Sequence, residues 1–71
     1  MIKTNIINDF LIYVIEEYKY LENRKAKEVV EIFTTNNVFD FITRHYDSLH
    51  TMGGRAIADD INIYINNKKY K

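Results

Sequence analysis

The stretch from Ile7 to Leu21 constrains this chain more than any other. Ile7, Phe10, Leu11, Val14, Ile15, Tyr18 and Leu21 recur at i, i+3, i+4 and i+7, which gathers apolar side chains on one helical face. Thr4 or Asn5 can cap this helix, and Asp9 falls near the positive end of its dipole, so a helix is predicted over residues 4–21. Asn8, Ile12, Glu16, Lys19 and Tyr13 or Tyr20 make its outer face, where Ile12 and Tyr13 widen the apolar surface beyond one stripe. A helix of this kind must bury its stripe against other elements, so the rest of the chain is read for what covers it.

No proline interrupts the sequence, and its two glycines are adjacent. The polar "ENRK" (22–25) reads as a turn. After it, Ala26, Val29, Val30 and Phe33 stand at helical spacing and predict a helix over 25–34. The β-branched Val29, Val30 and Ile32 would also suit a strand, but the spacing and the flanking Glu and Lys favour helix. "TTNN" (34–37) ends the element, because threonine lowers helix propensity and asparagine tolerates the left-handed conformation that closes helices. Val38, Phe41, Ile42 and then His45 or Tyr46 predict a third helix over 38–46, with Asp40 and Arg44 as an i,i+4 pair. Ile57, Ile61, Tyr64 and Ile65 predict a fourth over 53–66, and Asp59 and Asp60 stand in its N-terminal half. "NNKKYK" (66–71) is a polar tail expected to fray. The expectation is one all-α domain over 1–71, a compact bundle of four short helices with an ordered core over 4–66 and a tail over 67–71.

Several classes of protein are disfavoured by the totals. Ten Lys and Arg balance ten Asp and Glu, whereas a domain built to hold nucleic acid is usually basic. With 46% hydrophobic residues the chain is too apolar for intrinsic disorder. A core in a chain this short supplies only roughly 3–5 kcal/mol, and the absence of cysteine removes disulfides and thiolate metal sites. The fold must rest on helix packing, or borrow burial from a partner. No signal-peptide pattern is visible, and the longest apolar run, "FLIYVI" (10–15), is far short of the ~20 residues of a membrane span. A cytoplasmic setting with no membrane association is expected.

"HYDSLHTMGG" (45–54) holds both histidines and both glycines, and invites a chemical reading. His45 and His50 are five apart, about 140° around a continuous helix, whereas helical metal pairs use i,i+4. Ser48 with Asp47 and either histidine has the residue types of a hydrolytic triad, yet such triads are recognised by geometry and a short chain leaves little room for a water-excluding pocket. Thr51 can cap the last helix, and the glycines bare backbone N–H groups there, but the spacing of a phosphate-binding loop is missing. A corner between two helices is the simpler account: Tyr46 and Leu49 pack inward, Asp47 and Ser48 end the third helix, and Thr51, Gly53 and Gly54 start the fourth. His50 is expected to hydrogen-bond backbone or a nearby carboxylate. No catalytic residue, metal or cofactor is assigned. Lys68, Lys69 and Lys71 with Tyr70 form a basic tail, and the second and third helices superficially mimic a helix-turn-helix. That third helix would offer DNA Asp40, Thr43, Arg44 and Asp47, a poor set for phosphates. Ten aromatics exceed what so small a core can hold, and tyrosine suits interfaces because it combines area with a polar tip.

"FLIYVIEEY", "KEVVEIF" and "VFDFITRHYDSLHTMGGRAIADDINIYI" together resemble the DUF3791 family, small bacterial helical domains of unknown function. The resemblance runs from about Asn8 to Ile65 and is sharpest at His45, Tyr46, Asp47, Leu49, His50, Thr51 and Gly53 or Gly54. Where the family pattern has one glycine followed by a longer polar residue, this chain has two. The resemblance implies a helical accessory protein encoded beside an ADP-ribosyltransferase-like (DUF3990-type) protein, hence a toxin–antitoxin or immunity role. The expected function is a non-enzymatic protein-interaction module, a homodimer being compatible with it. Its surface is expected at His45, Tyr46, Asp47, His50, Thr51, Gly53, Gly54 and Arg55, with the exposed tyrosines of the first helix next. The alternative is a nucleic-acid-binding regulator of its own operon.

Overall fold

The structure, a computed structural model, describes the backbone of residues 2–69 and the side chains of residues 6–67. Five helices follow in order: α1 (Ile2–Leu21), α2 (Ala26–Thr35), α3 (Val38–Arg44), the single turn α4 (Tyr46–Leu49) and α5 (Gly54–Lys69). No strand occurs among the described residues, so the protein is an all-α bundle. The helix α1 is its spine, and α2, α3 and α5 all pack against it.

The apolar stripe of α1 is where the spacing placed it. Val14 and Tyr18 are buried, and Phe10, Leu11, Ile15 and Leu21 flank them half-buried. They meet Val29 and Phe33 of α2, Val38 and Ile42 of α3, Leu49 of α4, and Ile57, Ala58, Ile61 and Ile65 of α5. Edge-on ring contacts run through this core from Tyr18 to Phe33 (5.1 Å between centroids) and on to Phe39 (5.6 Å), the geometry that aromatic quadrupoles favour.

The burial along α2 and the start of α1 both differ from a plain reading of the spacing. Ala26 and Val30 stand at helical spacing with Val29 and Phe33 but are exposed. The ten-residue α2 buries a stripe only wide enough for Val29 and Phe33, with Ile32 at its edge. The helix α1 also starts at Ile2, so Thr4 and Asn5 lie inside it and not at its cap. At the other end α5 continues through Lys69, past the point where the polar tail was expected to begin; Tyr70 and Lys71 lie outside the described residues.

The turns are built by asparagine. Among the described residues Asn23 (φ 54°) and Asn37 (φ 60°) are the left-handed ones, whereas neither glycine has positive φ. After α1 the N–H of Asn23 donates to the Tyr20 carbonyl and that of Arg24 to the Lys19 carbonyl, the paired bonds of a Schellman closure. After α2 the Asn36 side-chain amide donates to the Ile32 carbonyl, and the Asn37 N–H donates to the Thr34 carbonyl. Between these closures α2 opens with the Glu28 carboxylate accepting from the Lys25 N–H, half of a capping box.

The left-handed region costs an ordinary L-residue roughly 1–2 kcal/mol and costs glycine nothing. Asn23→Ala and Asn37→Ala are therefore each expected to lose about 1 kcal/mol in urea denaturation, while Asn23→Gly and Asn37→Gly stay at or above the parent stability. Equal losses for Ala and Gly would contradict this account.

Candidate functional site

The segment from His45 to Arg55 forms a corner, but a sharper one than the sequence implies. The expected helix over 38–46 stops at Arg44. At His45 the backbone leaves the helical region (φ −109°, ψ 21°), and Tyr46 to Leu49 make a separate turn, α4. The residue type at 45 does not require a break. What the redirection gains is tertiary: Leu49 enters the core, and the Tyr46 ring meets Phe10 of α1 edge-on at 5.2 Å. Asp47 and Ser48 therefore belong to α4 and do not end α3. Thr51 is corrected too. Its hydroxyl donates backward to the Ser48 carbonyl at 2.8 Å and does not cap α5, which opens instead with Ile57 N–H donating to the Gly53 carbonyl.

His50, the residue that ends α4, hydrogen-bonds backbone as expected. Its Nδ1 lies 2.8 Å from the Tyr46 carbonyl, so Nδ1 carries the proton and donates; the His50 amide donates to the same oxygen. The imidazole lies almost parallel to the Tyr46 ring, 4.6 Å away. His45 takes a different place, with its ring 4.9 Å from Phe41, which in turn stacks on Tyr64 of α5 at 4.3 Å. The two histidines thus each end a separate aromatic string. Among the described residues no hydrogen bond joins Ser48 to either ring, and no three His, Asp or Glu side chains are placed to hold a metal ion.

The glycines differ. A Cβ at Gly53 would meet open space, whereas one at Gly54 would collide with the Glu17 carboxylate of α1. Gly54 is the residue that lets Glu17 lie across the start of α5. On the helix-turn-helix-like face, Thr43 donates to the Phe39 carbonyl and Arg44 pairs with Asp40 at 3.1 Å.

One string joins two sets of expected interaction residues. Tyr13 of α1 lies 6.0 Å from Phe10, Phe10 is edge-on to Tyr46, and Tyr46 stacks on His50. Tyr13 is 43% exposed and His50 exposed, with Phe10 and Tyr46 half-buried between them. The corner and the outer tyrosine of α1 are one aromatic surface. Sequence spacing could not show this, because it depends on how α4 is turned against α1.

A second feature lies toward the C-terminal end of α1. Tyr18, Glu22, Arg24, Ile32, Asn36, Asn62, Ile65 and Asn66 line a cleft of about 460 Å³. The Tyr18 hydroxyl donates to Asn62 Oδ1 at 2.6 Å, and Asn62 Nδ2 donates to Glu22 at 3.2 Å. Nothing in the sequence spacing paired Tyr18 with a residue 44 positions away.

The fold and corner define a small all-α domain with an aromatic surface at a helix joint, and no helix among the described residues is long and apolar enough to cross a membrane. Residues 9–68 match the family described as "Protein of unknown function (DUF3791)", and the chain belongs to that family. No curated protein and no solved structure matches it.

Two measurements check this geometry. Gly53→Ala is expected to raise stability by about 0.4–1 kcal/mol, since open space and an ordinary φ leave only the lost freedom of the unfolded chain to count. Gly54→Ala should gain less than Gly53→Ala, because the Glu17 carboxylate must move aside, and Glu17→Ala in the same chain should remove the difference; equal behaviour at 53 and 54 would contradict the close approach. Separately, burial, with the Glu22 charge next and Arg24 opposing, raises the Tyr18 hydroxyl above its usual value. The folded state then keeps this proton to higher pH than the unfolded chain. That stability is whole below about pH 10 and is lost as pH rises through the folded value. Tyr18→Phe should cost about 1 kcal/mol near neutrality, through the orphaned Asn62 oxygen, and should flatten the alkaline decline in stability. An equally steep decline would show that Tyr18 is not its source.

Proposed function

We propose that this protein is a non-enzymatic interaction module that works by covering a surface of another protein. The observation that carries this reading is the aromatic surface Tyr13–Phe10–Tyr46–His50, contributed by two helices and the joint beyond them. Isolated exposed apolar residues are ordinary on a small domain, but a joined aromatic surface with polar tips has the composition of interface cores. Exposed Ile6 and Tyr20 extend the same side of α1. The partner we propose is a neighbouring ADP-ribosyltransferase-like protein, the kind the family resemblance implies, restrained as a toxin is by its antitoxin, in the cytoplasm of a bacterium. Support for an accessory role over a catalytic one comes from the corner itself, where both histidines are engaged with neighbouring rings.

Capture with the tagged chain from its host is the test. The neighbouring ADP-ribosyltransferase-like protein should be recovered and should bind in purified form. Tyr13→Ala should weaken that binding by about 30-fold, the scale of a truncated interface hot spot, with thermal stability little changed because Tyr13 is substantially exposed. His50→Ala should weaken it in the same direction. Recovery of nucleic acid without protein would overturn the proposal in favour of an operon regulator.

A further inference from the structure

We infer that the aromatic surface receives a cationic segment of the partner, one in which arginine or lysine alternates with apolar residues. The inference rests on the interaction reading above and concerns the chemistry of what is bound. Ile6, Tyr13 and Tyr20 recur every seven residues, which keeps them within about 40° of one another around α1. Asp9, Glu16 and Glu17 are interleaved with them on the same side. Glu16 is compensated by Lys19, 2.9 Å away. Asp9, Glu17 and Asp47 have no ion-pair partner among the described residues. Glu17 lies against Gly54, at the edge of the corner, and Asp47 follows Tyr46 within it. Arg55 is the neighbouring cation at the joint, so carboxylates outnumber it there.

These charges discriminate between occupants. A second copy docking through this face by two-fold symmetry would bring the same carboxylates toward one another, which is unfavourable. Nucleic acid would be repelled for the same reason. A basic segment gains on both counts: its cations can pair with Asp9, Glu17 and Asp47, and a guanidinium or ammonium is attracted to the faces of Tyr13 and Tyr46. Its apolar residues would cover Ile6 and Phe10.

The probes are a short synthetic Arg/Leu peptide and its Glu/Leu counterpart, titrated into the isotopically labelled full chain. The Arg/Leu peptide should shift amide resonances of Ile6 to Glu17 and of Tyr46 to His50, with affinity falling as salt is raised. The double variant Asp9→Asn with Glu17→Gln should weaken it about tenfold. Glu31→Gln with Asp59→Asn, an equal change in net charge at exposed sites on α2 and α5, should leave it within about twofold. No binding, equal binding of the Glu/Leu peptide, or equal weakening by the two double variants would overturn the inference. The natural partner separates this from the interaction reading. If it binds through Tyr13 yet is indifferent to both salt and Asp9→Asn with Glu17→Gln, the module stands and the cationic segment falls.

Discussion

Tyr18 is the residue on which the rest of the bundle hangs. Its ring closes against Phe33 of α2, while its hydroxyl reaches Asn62 of α5. One side chain on the central helix therefore fixes the positions of two others. The polar tip matters as much as the ring. A hydroxyl buried without an acceptor would cost free energy, and the bond to Asn62, itself anchored on Glu22, fixes how far α5 can slide along α1. No buried side-chain polar atom among the described residues is left without a partner. A core with no cysteine can then be specified by shape and one satisfied polar connection.

Local spacing made most of the helices legible. The stripe from Ile7 to Leu21 and the set Ile57, Ile61, Tyr64 and Ile65 both identified helices and their inward faces, because a 3.6-residue period is written into the positions themselves. The "TTNN" turn was legible through asparagine chemistry, and Asn37 is left-handed as that chemistry allows. Asn23 plays the same part in "ENRK", where the sequence looked merely polar. The break at His45 was not legible, since it answers to the contact of Tyr46 with Phe10, thirty-six positions away. Neither was the exposure of Ala26 and Val30, which depends on how much of α2 its neighbours cover.

For the candidate site the division is similar. "HYDSLHTMGG" drew attention by composition, and the structure makes of it a joint whose histidines each end a string of aromatic rings. The family match covers this stretch and most of the chain. What no single stretch could show is that Tyr13 belongs with the corner. The aromatic surface is assembled across α1, α4 and the joint, so the seven-residue repeat within α1 does not extend to Tyr46 and His50.

The pairing of α1 with α5 has a consequence for how the molecule comes into being. The Tyr18–Asn62 bond joins residues 44 apart, and the stripe on α1 needs Ile57, Ile61 and Ile65 to cover it. During synthesis the first helix emerges with its apolar side bare, and α2 and α3 can shield only part of it. The bundle cannot close until its last helix has left the ribosome. For that interval the nascent chain presents a long, sticky, uncovered face, and whatever meets it first, chaperone or waiting partner, meets it before the native core exists.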